Sequence, residues 1–565
     1  MRYIPLAAAM LLAAQVSAQA VWPDEGVKTW TRRTTEAAIT ANDLRTRLYQ
    51  YADDSMMGRE AGTYGNVKAT DYVAAEFKRL GLLPAGENGT YFQDVPYGRL
   101  RFDSTKATLA VAGTPLLPGT DWAPIPATPA ALFAGDARLN ATAVIFGGRY
   151  GDSTAALGAE VVRGKVVVFT PAATVEQQVN GQTRRTAAPG DYTRAQRNGA
   201  AAVLIVQPVS RVAFNSRTAV RPTVRSTTGA AAITEATAAR FFDRPLAELA
   251  VGAAGKPATG SWTYEYTANE FPTRNVLGVL PGADAARRGQ YVLIGAHNDH
   301  TGMVRGNVKP EHDSLRAFNT VLRPQGANDQ VALDAVTADQ WAAINALIAK
   351  ARAVRPARAD SVQNGADDDG SGTVVLLEIA EQMVNGPRPA RSMVFHSHAA
   401  EEKGLLGSRY WTENPTLPID SVVAAHNMDM LGKGRVTDVR FGGPNTVQML
   451  GSRRISPELG DMIDSLNAVR SEPMVIDYSW DRTNRLNRFC RSDQVNYVRM
   501  GIPTTYFSTG YSRDYHQPTD EPQYINYDQT ARVARFVHDI ALNIANRPAV
   551  LSKLPWDQQD PVARC

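Results

Sequence analysis

No histidine precedes His297 in this 565-residue chain, although the sequence holds eight. Any histidine-based site is therefore confined to the last half. Cysteine is nearly absent as well: only Cys490 and Cys565 occur. A bacterial lipid anchor needs a cysteine directly after a leader, and none stands there. The two thiols either pair in an oxidising compartment or stay free, and spacing does not decide between these. The formal charge is only +4 and no dense Lys/Arg run occurs, so nucleic-acid binding is not implied. Beyond the N-terminus no segment approaches the ~20 apolar residues that cross a bilayer. No internal repeat is visible.

The chain begins MRYIPLAAAMLLAAQVSAQA. Arg2 gives a positive start, Ile4 to Ala14 are apolar, and Val16-Ser17-Ala18 and Ala18-Gln19-Ala20 offer small residues for cleavage. Residues 1–20 are read as a secretory leader, with export to the periplasm or the medium and no membrane anchor. The length predicts two or three domains. Asn66 to Leu80 predict a helix closed by Gly81. Residues 99–261 shift to Ala, Thr, Val and Gly and contain neither His nor Cys, which predicts an inserted β-rich module without chemistry of its own. Within it Gly164–Pro171 reads as a strand, and Tyr192–Pro208 as a helix, a turn and a strand. From 262 onward short apolar strands (NVLGVL, YVLIGA, SMVFHSHA, SVVAAHNM, TTYFST) alternate with amphipathic helices. That alternation predicts an α/β fold: a mixed, largely parallel sheet sandwiched by helices. Residues 21–98 and 262–549 would form this domain, with 550–565 as a tail. Residues 303–364 read as a long insertion with one helix, Thr337 to Arg352.

The polar residues that follow these strands carry the chemistry. His297 and Asp299 follow YVLIGA, Glu401 and Glu402 follow SMVFHSHA, Asp429 follows SVVAAHNM, and His516 lies a short loop beyond TTYFST. Reactive groups in open α/β sheets gather outside the carboxyl ends of strands. Asp368 lies in GADDDGSG, just before a helix over Val374 to Met383. Its flanking glycines let the backbone bend around an ion. Two histidines and three carboxylates suit zinc, whereas calcium takes oxygen only. Five ligands, one carboxylate being shared, fit two ions about 3.5–4 Å apart. The Glu401-Glu402 doublet then offers one ligand and one general base. Asp367 and Asp369 are read as loop-shaping, and His396 and His398 as hydrogen-bonded core groups. His300, His312, His426 and His538 are read as packing residues.

These pieces resemble the co-catalytic zinc aminopeptidases of metallopeptidase family 28. The matching motifs are GAHNDH (Gly295–His300), GADDDGSG (Gly365–Gly372), AAEEKGLLGS (Ala399–Ser408), NMDMLG (Asn427–Gly432) and DYHQPTDE (Asp514–Glu521). The resemblance implies two Zn2+ per chain. His297 and Asp429 would hold one, Glu402 and His516 the other, and Asp368 would bridge them. Asp299 would orient His297, Glu401 would be the base for a metal-bridging hydroxide, and Tyr515 matches a tyrosine that in some members stabilises the oxyanion. Residues 99–261 resemble the protease-associated domain of many relatives. One departure is Arg491-Ser492-Asp493-Gln494, where the family often has Arg-Ser-Asp-His, and another is the longer span from His297 to Asp368, which puts residues 303–364 over or near the pocket as a lid. The implied activity is removal of N-terminal residues from peptides or small proteins. A glutamate-carboxypeptidase type of exopeptidase, using some of Arg482, Arg485, Arg488, Arg491 and Arg513, is the first alternative. A binding protein on an inactive peptidase fold is the second, and a one-metal cyclase acting on N-terminal glutamine the third.

Overall fold

The computed structural model describes residues 20–559 apart from 103–105, 125–134, 150–156, 171–173, 180–181, 188–194, 196–197, 210–222, 225–227, 308, 328–332, 440, 483–487 and 556–557. The expected leader therefore lies outside the described residues except for Ala20, as do Cys565, Arg485 and the helix expected to begin at Tyr192. Cys490 is disulfide-bonded, and Cys565 is the sole other cysteine of the sequence.

Nine strands form the sheet that matters for the site. They are β1 (Leu83–Pro84), β2 (Phe92–Val95), β3 (Thr273–Leu280), β4 (Tyr291–His297), β5 (Ser392–His398), β6 (Val422–Met428), β7 (Thr446–Leu450), β8 (Val475–Asp477) and β9 (Thr504–Ser508). Their order is β1-β3-β5-β4-β6-β9-β7-β8, with β2 also on β3. The neighbours β5, β4, β6 and β9 run parallel, in registers such as His297 opposite His398 and Met428 opposite Phe507. Strand β3 joins this block antiparallel to β5, and β7 antiparallel to β9. The expectation of a mixed, largely parallel sheet is met. All four parallel strands end at one edge, and each is almost wholly buried. Strands covered on both faces are near-continuously apolar, which is the pattern the sequence displays.

Alternation along these strands feeds two cores. Val292 and Ile294 of β4 and Phe395 of β5 face helices α1 (Ala41–Tyr51), α2 (Tyr64–Arg79), α3 (Gly372–Asn385) and α6 (Tyr527–Asn546), through Leu44, Leu48, Phe77, Val374, Phe536 and Ile540. Leu293 and Val394 face the opposite way, onto Trp411 and Tyr497 of α4 (Leu406–Glu413) and α5 (Gln494–Val498). Helix α1 starts at Thr40, whose hydroxyl accepts from the Asp43 amide at 3.1 Å. Helix α2 closes at Leu80 and Gly81, as expected, and Gly81 takes the left-handed conformation (φ 73°).

Residues 99–261 contribute nothing to the nine strands. They build an eight-stranded sheet of their own, from Thr108–Val111 to Ala254–Trp262, over cores drawn from Phe102 to Tyr266. The expected strand at Gly164–Pro171 is there as Val166–Thr170. Entry and exit are paired: Tyr97–Phe102 lies antiparallel to Tyr264–Ala268.

The 303–364 insertion holds two long helices, not one: His312–Leu322 and Ala338–Val354. The second is the expected helix, capped by Thr337. The first begins on Glu311, whose carboxylate accepts from the Asp313 and Ser314 amides. Its polar opening, Glu-His-Asp-Ser, hides an apolar face at Leu315, Phe318 and Leu322. The insertion is pinned at its base, where Gly302–Met303 pairs with Val362–Gln363. Its helices bury Ala317, Leu322, Ile344 and Ala351 against Val21, Trp22 and Tyr524. The tail residues that are described also pack: Leu551 is buried, and the Ser552 amide donates to Glu458 at 2.7 Å.

Candidate metal centre

The loops leaving β4, β5, β6 and β9 converge with the turn before α3. At their centre is Asp368. One of its oxygens, Oδ1, lies 3.2 Å from His297 Nε2. The other, Oδ2, lies 3.0 Å from His516 Nε2. His297 Nε2 is also 3.6 Å from Asp429 Oδ1, and His516 Nε2 is 3.0 Å from Glu402 Oε1. The five side chains singled out as ligands thus meet in two groups that share one carboxylate.

Backbone geometry at the strand exits aims these groups. Ala400, Met430 and His516 have φ of 52°, 60° and 55°. Such left-handed conformations cost a non-glycine residue about 1–3 kcal/mol and cluster where function over-determines the backbone. Each lies in or close to a ligand position: Ala400 two residues before Glu402, Met430 after Asp429, and His516 itself. Asp369 holds the turns together. Its carboxylate accepts from the amides of His297 (3.1 Å), Gly372 (2.9 Å) and Met430 (3.2 Å). That engagement makes it a scaffold for three elements, and Asp368 the carboxylate left to face a cation. Asp367 accepts from Gly432 at 2.6 Å, and the Asp520 carboxylate accepts from the amides of Asp367 and Asp368 at 3.0–3.1 Å.

Asp299 reaches His297 chiefly through its main chain. His297 Nδ1 stands 3.0 Å from the main-chain oxygen of Asp299 and 3.7 Å from its carboxylate. The Asp299 side chain instead accepts from the Glu401 amide at 2.9 Å. One residue thereby orients both His297 and the segment that carries Glu401.

Electrostatically the pocket is built for positive charge. Burial pulls the His297 pKa down, but Glu401, Asp299, Asp368 and Asp429 outweigh it and lift it well above 6.5. Burial likewise opposes the charge on His516, yet Glu402 and Asp368 raise it to about 10. Burial raises Asp368, and His297 and His516 bring it well below the usual carboxylate range. Glu401 is pushed well above that range, by burial first and then by Asp429, Glu402 and Asp493. Tyr515 lies against the ring of His516 (centroids 3.8 Å apart) and burial holds its phenol protonated.

Whether cations fit can be judged from the polar atoms left over. Buried polar atoms almost always find partners. Here His297 Nε2, Asp429 Oδ1, Glu402 Oε1 and His516 Nε2 are buried with no aligned hydrogen bond, despite their proximity. They point at each other around common centres. Imidazole nitrogen with carboxylate oxygen is a donor set suited to zinc-like ions. The residues present fit such ions.

His300, read as a packing residue, also enters this pocket. Its Nδ1 is 3.0 Å from Glu402 Oε1 and 3.8 Å from Asp368 Oδ2. It is three residues past His297 on the same strand-end loop, which is the signal that would have found it. A third histidine–carboxylate group, His312, Asp360 and Glu521, is of another kind. Arg358 Nη2 sits 2.8 Å from His312 Nδ1 and 2.7 Å from Glu521, filling the cation's place beside a cavity of about 600 Å³. His396 and His398 both meet the Tyr497 hydroxyl, at 2.9 and 2.7 Å, and His398 Nδ1 lies 3.2 Å from Asp493. Gln494, the departure noted above, is buried and accepts from Asn427 at 3.1 Å.

Fold and site together define an α/β protein with a buried, two-centred histidine–carboxylate cluster at the carboxyl edge of its sheet. Residues 275–541, a little under half of the chain, match the profile of peptidase family M28. It is 28% identical over 191 residues to leucine aminopeptidase 1 of Sclerotinia sclerotiorum, covering 32% of this chain and 47% of that protein. It is 28% identical over 193 residues to aminopeptidase Y of Saccharomyces cerevisiae, covering 30% of this chain and 32% of that protein. The chain thus spans about half or less of the length of these curated relatives. A solved zinc aminopeptidase from Bacillus subtilis aligns over 91% of this chain and 97% of its own, at 17% identity and a TM-score of 0.41.

Proposed function

We propose that this chain is an exported, zinc-dependent exopeptidase that removes N-terminal residues from peptides. The observation that carries the reading is the bridging posture of Asp368, each oxygen turned to a different histidine–carboxylate pair. His297 and Asp429 would hold one zinc, Glu402 and His516 the second, and Asp368 both. When bound, such a pair polarises a carbonyl and lowers the pKa of water to roughly 7.

The chain's own residues supply the remainder. Glu401 is the carboxylate of the doublet that takes no ligand position, and the Asp299 contact fixes its main chain. A carboxylate held beside the metal ligands and taking no ligand position is placed to accept a proton from water and pass it to the leaving amine. Tyr515 keeps its phenolic proton and can donate to the oxygen on which charge develops. Residues 99–261, with a sheet and core of their own, are proposed to be a protease-associated module that limits access to the site.

One observation favours a second reading, a carboxypeptidase. Arg491 is exposed, stacks over Tyr511 (5.0 Å), and interacts with Tyr515 and Glu401. It is a cation placed to meet a substrate carboxylate. Arg513, in contrast, is committed to Asp438, and Arg488 is buried against Gln448 and Ser508.

Parallel assays decide. Purified chain is offered aminoacyl anilides and peptides ending in glutamate, each with and without a chelator. Chelator-sensitive release of the anilide supports the aminopeptidase. Turnover of the glutamate peptides alone would replace it with the carboxypeptidase, and no turnover of either with zinc loaded would reject both.

A further inference from the structure

We propose that His300 is a sixth protein ligand of this centre, giving the ion held by Glu402 and His516 a shell of four protein donors. The inference rests on the zinc reading above. Three observations carry it. The His300 ring is fully buried, and among the described residues neither of its nitrogens has an aligned hydrogen bond, although Nδ1 stands 3.0 Å from Glu402 Oε1. An imidazole so placed costs free energy unless something meets it. Its Nδ1 also completes a polyhedron. Donor atoms on a tetrahedral zinc with bonds of about 2.0–2.1 Å stand about 3.3–3.4 Å apart. The separations here are 3.0 Å (His300 Nδ1 to Glu402 Oε1), 3.8 Å (His300 Nδ1 to Asp368 Oδ2), and 3.0 Å from His516 Nε2 to each carboxylate. All four scatter around that edge. The chain, finally, makes room for this ring. Gly365 has φ 54°, and a Cβ there would stand 2.5 Å from His300 Cγ and 2.2 Å from the Asp368 carbonyl oxygen. Only glycine lets the GADDDGSG turn close on both.

The two ions are then unequal. One has His300, Asp368, Glu402 and His516, the closed set of a structural site. The other has His297, Asp368 and Asp429, three donors, as in sites that keep a position for substrate. Substrate binding belongs to the His297–Asp429 side, and the first zinc equivalent belongs to the His300 side.

The test is zinc K-edge X-ray absorption on the full chain carrying two zinc ions. We expect scattering from three imidazoles across the two ions, falling to two in His300→Gln. Glutamine keeps a hydrogen-bond donor, so a merely positioning His300 would leave the count at two in both proteins, and that result overturns the inference. Chelator competition supplies a second readout: His300→Gln should weaken the tighter ion by more than the 10–100-fold typical of an outer-shell partner. Should that variant fail to fold, the wild-type count alone decides. A chain that takes up no zinc at all would sink the proposed function together with this inference, whereas two zinc ions with two imidazoles sink only the latter.

Discussion

Arg316 Nη1 donates to the Asp514 carboxylate at 2.9 Å, joining the first helix of the 303–364 insertion to the loop that carries His516. Both side chains are 1% exposed. Arg316 also pairs with Asp24, and Asp514 accepts from Thr519 at 2.8 Å and meets Lys433 at 3.4 Å. The insertion expected to act as a lid is thus tied into the support of a ligand loop.

Breaking that tie leaves a buried carboxylate without its main partner. Arg316→Met should lower stability by about 3–5 kcal/mol, the usual cost of removing one member of a buried pair. It should also weaken zinc binding, because Asp514 lies two residues before His516. Urea unfolding and chelator competition check both. An unchanged zinc affinity would mean that the insertion does not position His516.

Glu401→Gln should leave zinc content near wild type and lower kcat by about 100-fold or more, the lower end of general-base contributions. The substitution keeps shape and removes the basic oxygen. A fully active variant would exclude Glu401 as the base.

Arg491 separates the two exopeptidase readings. Arg491→Ala should leave KM for aminoacyl anilides within about twofold, since these substrates bring no carboxylate for an exposed arginine to meet. If C-terminal glutamate peptides are the substrates, KM for them should rise by at least about tenfold, in line with a lost charge-assisted hydrogen bond of about 1.5–3 kcal/mol.

His426 sets a pH dependence of folding. It is buried on β6, with Nδ1 2.7 Å from the Thr505 hydroxyl. Burial lowers its pKa from 6.5 to about 3. The unfolded chain therefore binds a proton that the folded chain refuses. This contribution to stability is complete above pH 6.5 and declines as pH falls towards 3, by up to ~1.4 kcal/mol per pH unit. In His426→Gln the loss of stability between pH 7 and pH 5 should be smaller than in wild type. Equal losses in urea titrations would show that His426 does not titrate in this way.

Much of the site was legible because strand ends are legible. Apolar runs such as YVLIGA and SVVAAHNM end on a polar residue, and parallel strands bring those residues to one edge. That rule singled out His297, Asp429, His516 and the Glu401-Glu402 doublet, and the glycines and the helix behind it singled out Asp368; which glutamate of the doublet is the ligand came from the family resemblance. His300 escaped although it stands on the same strand-end loop as His297, because the sequence does not show which way its ring turns. Asp369 was legible only as a loop-shaping residue, because two of its three acceptor contacts come from His297 and Met430, which are distant in sequence.

Composition and periodicity by themselves determined the class of fold, the confinement of histidine chemistry to the second half, and the donor types available to a cation. Those are properties of spacing and side-chain chemistry, which the chain carries before it folds. Tertiary structure decided which oxygen of Asp368 faces which histidine, that Asp299 serves Glu401 through its carboxylate and His297 through its main chain, and that the insertion braces Asp514. Each is a relation of a few ångströms between residues many positions apart, set by how strands, turns and helices pack and by where the backbone is held at positive φ. No local pattern encodes such distances.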